Sequence, residues 1–298
     1  MPIFGRWTNG LLKSRFGKLL VSAERILPRC YWPLESSLNP TAGSTVGTET
    51  HAGTNRTRVN PTSGLIEAVG ANVARFENVG GYDAVLIEPA GTNLIPYSHE
   101  FQNWTATRAT VSTNAATAPD GTATADKLVV DATAANDHSL YYDIAPASFT
   151  NGASVTYSFY AKAAEFSWAF VQIATKTPAW PLIYFNLSTG AVGTETVDSY
   201  GTEDMGNGWW RVWLTHDIGT GANTTRWTIY AAEGDGDITI DGDSTSGIYV
   251  WGAQVEESPI PTSYIATSGA TVTRATESGA TAFALPSGLF DDKGTAIC

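Results

Sequence analysis

From Asn93 onward, apolar and polar residues alternate in short runs broken by turn-forming residues. The runs Lys127–Asp131, His138–Ile144, Ser154–Ala163, Trp168–Ala174, Leu182–Leu187, Trp209–His216, Thr225–Ala231 and Gly247–Val255 are rich in β-branched and aromatic side chains. Pro119-Asp120-Gly121, Asn151-Gly152, Ser188-Thr189-Gly190, Asn207-Gly208 and Gly234-Asp235-Gly236-Asp237 supply the turn chemistry between them. No helix-length period interrupts the series. The pattern predicts an all-β fold, a jelly-roll β-sandwich.

The N-terminal part reads differently. Across residues 10–27, Leu12, Phe16, Leu19, Leu20, Ala23, Ile26 and Leu27 recur at three- and four-residue steps, with Lys13, Arg15, Lys18 and Arg25 mostly between them. This spacing predicts an amphipathic helix, with Thr8 or Asn9 at its start and Pro28 at its end. Docking on a partner, packing on its own chain and lying on a membrane surface all fit such a helix. Residues 36–63 are rich in Ser, Thr, Gly, Asn and Pro and read as linker. Short β-like runs at Gly64 to Val69, Ala74 to Glu77 and Ala84 to Glu88 suggest a small hairpin unit. The expected division is a helical anchoring segment at 1–35, a linker and β-hairpin region at 36–91, the jelly roll at 92–268 and an extended tail at 269–298.

Alternation also divides each strand into two faces. Ile183, Phe185 and Leu187 form an apolar set that leaves Leu182, Tyr184 and Asn186 opposite. Trp210, Val212 and Leu214 point to the core and leave Trp209, Arg211, Trp213 and Thr215. Val171 and Ile173 leave Trp168, Phe170 and Gln172. In Gly247–Val255, Tyr249, Trp251 and Val255 oppose Val250 and Gln254. The candidate ligand or subunit face is therefore Trp168, Gln172, Tyr184, Asn186, Trp209, Arg211, Trp213 and Gln254. Aromatic planes beside fixed polar groups suit a pyranose ring, whose flat C–H face packs on an aromatic while its hydroxyls seek partners. The same residue types anchor subunit interfaces, and the sequence leaves both readings open.

Composition narrows the classes. The chain has 298 residues, of which 43% are hydrophobic, enough for a sizeable core, so whole-chain disorder is excluded. Formal charge is −12, yet Arg6, Lys13, Arg15, Lys18, Arg25 and Arg29 outnumber Glu24 and Glu35 in the first 35 residues. A short basic leader thus precedes a strongly acidic body, which repels rather than attracts nucleic acid. Cys30 and Cys298 are the only cysteines, so there is neither a disulfide framework nor a cysteine zinc site. The two cysteines suit assembly in a reducing cytoplasm. No apolar run is long enough for a membrane span. Asp235, Asp237, Asp241 and Asp243 offer hard oxygen ligands for Ca²⁺, without the loop of an EF-hand; a solvated turn is the competing reading, and no other cofactor is expected. Glu233 with Glu203 or Asp204 is the carboxylate pairing a glycosidase reading would use.

Several segments in order resemble one group of proteins. They are Gly64-Leu65-Ile66-Glu67, Asn72-Val73-Ala74-Arg75-Phe76, the run from Leu86 to Ser98 (LIEPAGTNLIPYS) with Phe101 and Trp104, and Pro119 to Leu128 (PDGTATADKL). Gly208-Trp209-Trp210-Arg211-Val212, Val250 to Glu256 (VWGAQVE) and Thr262 to Ala275 (TSYIATSGATVTRA) complete the series. The chain resembles tailed-bacteriophage head-spike and tail-fibre proteins that carry a carbohydrate-binding-module-like jelly roll. The resemblance implies a non-enzymatic virion protein, assembled in the bacterial host cytoplasm as a homotrimer. It would be seated on capsid, portal or tail proteins through its N-terminal segment, with Leu12, Phe16, Leu19, Leu20 and Ile26 as anchor residues. Host surface polysaccharide is the implied external ligand. A decoration or adaptor protein that binds other virion proteins alone, and a fragment of a polysaccharide-degrading enzyme, are the alternatives.

Overall fold

The structure, a computed structural model, describes residues 12–13, 19–22, 53–71, 73, 75–79 and 82–277. Among the described residues twenty strands follow in chain order. The N-terminal ones are β1 (Leu12–Lys13), β2 (Leu19–Ser22), β3 (Arg56–Val59), β4 (Ile66–Val69), β5 (Phe76–Val79), β6 (Tyr82–Ile87) and β7 (Gly91–Asn93). The sandwich begins with β8 (Thr105–Thr107), β9 (Ala109–Ala116), β10 (Ala125–Val130), β11 (Ser139–Ile144), β12 (Ser154–Ala163) and β13 (Trp168–Ala174). It continues with β14 (Leu182–Asn186), β15 (Val192–Glu195), β16 (Ser199–Asp204), β17 (Trp209–Asp217), β18 (Thr225–Ala232) and β19 (Gly247–Glu257), and β20 (Val272–Arg274) closes the series.

Two six-stranded antiparallel sheets form a jelly-roll sandwich. Sheet I runs β16-β17-β12-β19-β10-β9 and sheet II runs β15-β14-β13-β18-β11-β8. Their inner faces meet in a single apolar core that includes Val155, Tyr157 and Phe159 of β12, Val171 of β13, Phe185 of β14 and Val212 of β17. Trp227 of β18 stands at its centre. Trp104, Tyr157 and Phe159 surround its ring edge-on, at centroid separations of 5.2, 5.7 and 5.7 Å. Edge-to-face packing aligns positive ring edges with negative faces, which adds to the burial of large apolar area. The eight strands expected from alternation are all present, Ser154–Ala163 and Trp168–Ala174 with the expected ends and the others with ends shifted by one or two residues.

Three expectations need correction. At the described residues of segment 10–27 the backbone is strand, not helix: β1 pairs with β2, and β2 pairs antiparallel with β6 from Leu19↔Ile87 to Ser22↔Ala84. A short Leu-Leu-Val run fits either state in isolation, and a neighbouring strand edge offers ladder hydrogen bonds that decide the matter. Leu12, Leu19 and Leu20 lie on these strands, whereas Phe16 and Ile26 fall outside the described residues. Next, the segment read as linker contains β3, paired with β4 from Arg56↔Val69 to Val59↔Ile66. Finally, the face assignment in the last long strand breaks at Gly252. Opposite β12, Ser158 pairs with Gln254 but Tyr160 pairs with Trp251, so β19 carries one extra residue. This bulge resets the alternation. Tyr249, Trp251, Gln254 and Glu256 share the outer face, while Val250, Ala253 and Val255 belong to the core. Gly252 has φ +65°, and a Cβ there would come within 2.6 Å of the Tyr160 ring. Only glycine satisfies both constraints without strain.

Candidate functional site

The two outer faces have different fates. On sheet I, the hairpin β3–β4 and the segment after β19 lie over the strands. Ile66, Tyr160, Trp209, Trp251 and Tyr264 pack there as a second apolar cluster. Trp209 is 2% exposed and its indole Nε1 donates to the Thr117 carbonyl at 3.0 Å. Arg211 donates to the Thr262 carbonyl at 2.5 Å and its guanidinium lies 5.6 Å from the Tyr160 ring centroid. Gln254 donates to Glu256 at 2.8 Å and accepts from the Ile265 backbone N–H at 2.7 Å. Trp213 is buried across Gly201 of β16, where a Cβ would come within 2.7 Å of its indole. Trp209, Arg211, Trp213 and Gln254 therefore serve the packing of this face rather than an open surface.

Beside that cluster lies a buried ionic junction between segments far apart in sequence. Glu277 accepts from Arg56 Nε at 2.5 Å, from Arg75 Nε at 2.9 Å and from the Glu88 backbone N–H at 3.0 Å. A further bond from Arg75 Nη2 also reaches Glu277. Glu88 pairs with Arg75 at 3.0 Å and with Arg274 at 3.1 Å. All five side chains are at most 2% exposed. Burial, only partly offset by hydrogen bonds from Thr262 and Gln254 and by the nearby Arg211, raises the Glu256 carboxyl above its ordinary pKa. The junction joins residues before the sandwich to residues after it, and it sits next to the ladder of β7 with β20.

The outer face of sheet II is where the remaining predicted residues meet. Register places Trp168 beside Asn186 of β14 and Ala232 of β18. Phe170 stands between Tyr184 and Tyr230, with centroids 4.6 and 4.8 Å away. Gln172 is flanked by Leu182 and Thr228, and Thr228 in turn by Tyr141 of β11. Arg226 and Asp143 are cross-strand neighbours joined by two hydrogen bonds, of 2.6 and 2.8 Å. The same guanidinium covers the Tyr141 ring at 3.7 Å from its centroid. Phe170 and Tyr184 are 4% and 6% exposed, held in by their neighbours and by Ile238. Trp168, Gln172, Leu182, Asn186, Tyr230 and Tyr141 are half-buried.

This face is a row of aromatic planes edged by amide, hydroxyl and guanidinium groups. Asn186 spends its side-chain oxygen on the backbone N–H groups of Ser188 and Thr189, so it shapes the β14–β15 turn. Burial first, then the carboxylates of Asp235 and Asp237, hold the Tyr184 hydroxyl above its ordinary pKa. Burial does the same for Tyr230, with Asp137 adding to it. Both phenols are therefore protonated at neutral pH, able to donate and to accept. Beyond one end of the face, in the loop before β14, Trp180 is 60% exposed.

The structure thus brings Trp168, Gln172, Tyr184 and Asn186 together and separates them from the other four predicted residues by the thickness of the sandwich. Phe170 emerged from alternation as a non-core residue. Tyr230, Thr228, Arg226, Tyr141 and Asp143 were not singled out, although the same alternation in β18 and β11 exposes them. The four aspartates of the acidic loop do not converge. Asp235 caps the Thr194 N–H, Asp237 the Thr239 N–H, Asp241 the Ala135 N–H and Asp243 the N–H groups of Thr245 and Ser246. Among the described residues no three His, Cys, Asp or Glu side chains are grouped to hold a metal ion, so the calcium reading gains no support. Glu203 lies on β16 of sheet I and Glu233 follows β18 of sheet II, so these carboxylates belong to different sheets. Among the described residues no helix is long and apolar enough to cross a membrane.

No protein-family model matches the chain, and no curated protein does. Solved structures similar to it are a phage tailspike domain and carbohydrate-binding modules. The enzymatically active domain of bacteriophage CBA120 tailspike protein 4 is 15% identical, with a TM-score of 0.35 over 55% of this chain and 21% of that one. The match therefore spans about a fifth of the tailspike chain's length. A CBM61 module in complex with β-1,4-galactotriose is 10% identical, with a TM-score of 0.34 over 56% of this chain and 99% of that one. The N-terminal CBM22 tandem of a Paenibacillus barcinonensis protein is 16% identical, with a TM-score of 0.35 over 59% of this chain and 54% of that one.

Proposed function

We propose that this chain is a non-catalytic module of a phage head fibre, spike or tail fibre, and that it holds a glycan chain on the outer face of sheet II. The observation that carries the reading is the row Tyr184–Phe170–Tyr230, flanked by the half-buried Trp168, Gln172 and Tyr141 on the outer face of sheet II. The half-buried rings of Trp168 and Tyr230 offer stacking surfaces over the buried Phe170 and Tyr184, and Gln172 and the Tyr230 hydroxyl offer partners for sugar hydroxyls. The virion assignment rests on the ordered sequence resemblance between Gly64 and Ala275. In a homotrimer three such faces would act together, and modest single-site affinity would become strong attachment through effective concentration.

The test is retention of the purified chain on immobilised host lipopolysaccharide and capsule, compared with the variants W168A and Y230A. Loss of an aromatic anchor should weaken binding at least about tenfold. Absence of retention on either preparation, with Trp168 protected from chemical modification in the purified oligomer, would instead identify the face as a subunit contact of a decoration protein. Release of soluble oligosaccharide would overturn the non-catalytic assignment.

A further inference from the structure

The charges around the sheet II face point to the class of sugar it takes, an inference that rests on the glycan reading above. Lys127, Lys162 and Arg211 all lie on sheet I. Among the described residues, the cations left near the sheet II face are Arg226, Arg108 and, beyond the end of β13, Lys176. Each is already engaged. Arg226 is held in a two-bond fork by Asp143. Arg108 is paired with the Asp137 carboxylate and donates to the Asp137 carbonyl at 2.7 Å. Lys176 is 5% exposed and donates to the Phe149 carbonyl and the Asn151 side chain.

The anions are in excess. Besides Asp143 and Asp137, the loop after β18 places exposed Glu233, Asp235 and Asp237 at the Trp168–Ala232 end of the face. Asp235 reaches across to the backbone N–H of Thr194 at 2.7 Å, which fixes this loop against β15. Asp235 and Asp237 both act electrostatically on the Tyr184 hydroxyl.

We propose that the face selects uncharged glycans, built of neutral hexose or N-acetylhexosamine units, and rejects chains bearing uronate, sialate or phosphate. Recognising an anionic sugar calls for a free guanidinium fork or ammonium on the surface. Here the Arg226 fork is occupied by the Asp143 carboxylate and that of Arg108 by the Asp137 carboxylate and carbonyl, and the acidic loop repels a second negative charge at close range. A neutral sugar meets none of this penalty, because stacking and hydroxyl hydrogen bonds carry no net charge. Its binding is correspondingly insensitive to salt, whereas any residual affinity for an anionic chain rises when salt screens the repulsion.

The experiment uses the full chain on an array of length-matched oligomers, neutral hexose and N-acetylhexosamine series against hexuronate and sialylated series, at low and at high salt. The expected result is binding to at least one neutral series at least tenfold tighter than to any anionic one, unchanged by salt. D143N releases the Arg226 fork, and it should narrow the neutral-to-uronate ratio severalfold at low salt. Comparable or tighter binding of the wild-type chain to an anionic series would overturn the neutral selection while leaving the glycan reading intact. An unchanged ratio in D143N would remove the assigned role of the Arg226–Asp143 pair and count against the inference. Binding to no oligomer of either kind would overturn the glycan reading itself, and the selection with it.

Discussion

Replacing Glu277 by glutamine tests whether the ionic junction holds the flanking segments onto sheet I. In the native structure the carboxylate accepts four hydrogen bonds, from Arg56 Nε, from two nitrogens of Arg75 and from the Glu88 N–H. Glutamine keeps one acceptor oxygen and turns the other position into a donor facing donors. Arg75 retains Glu88 as a counter-ion, but Arg56 keeps only the carbonyls of Gly70 and Val73, each at 2.9 Å. Removing one partner from a fully buried pair costs about 3–5 kcal/mol, because the remaining charge stays desolvated without compensation. The exposed pair Arg226–Asp143, with side chains 39% and 42% exposed, is the internal control: its loss in D143N should cost only about 0–1 kcal/mol. The assay is native-state hydrogen exchange followed by urea unfolding. In E277Q, amides of β3 and β4 should lose protection by the larger amount, while those of β12 and β18 lose much less, since the sandwich core is untouched. If E277Q destabilises no more than D143N, and β3–β4 protection is unchanged, the junction is not what holds the hairpin down.

Two further expectations concern the same half of the molecule. G252A forces a left-handed residue to carry a Cβ 2.6 Å from the Tyr160 ring, and should cost about 2–4 kcal/mol in urea unfolding from backbone strain and overpacking together. Glu256 has a folded-state pKa above its unfolded value, so its contribution to stability is fully present below the unfolded pKa and is lost as pH rises through the folded one. Unfolding free energy of the wild type relative to E256Q should therefore fall as pH rises above about 4.5, the unfolded glutamate pKa; a flat or rising difference across that window would refute the assignment.

Local pattern carried much of this fold. Strands β12, β13, β14, β17 and β18 are legible as alternating runs of β-branched and aromatic residues between Gly- and Asn-containing turns, because a pleated strand repeats every two residues whatever it packs on. The inward set of each could be read as well: Val171 and Ile173, Ile183 and Phe185, Val212 and Leu214 are all in the core. Leu19 to Ser22 were misread because their state depends on the partner strand at 84–87. Trp251 and Gln254 were placed on opposite faces because a bulge at one glycine shifts the period without altering its appearance in sequence.

What alternation could not say is which outer face the segments flanking the sandwich cover. Trp168 and Trp209 look alike along the chain, each beginning a strand whose non-core side also carries a polar residue, Gln172 or Arg211. The difference comes from contacts between distant positions: Thr57 donates to the Tyr264 carbonyl 207 residues away, and Arg56 to Glu277 across 221 residues. These contacts bury Trp209, Arg211 and Gln254 under the flanking segments, whereas Trp168 and Tyr230 on sheet II are half-buried. The sequence by itself determined a β-sandwich with two aromatic outer faces, since side-chain period and turn chemistry are local properties. Only the tertiary structure decided that the sheet I face is covered, since covering a face depends on where residues at the two ends of the fold come together.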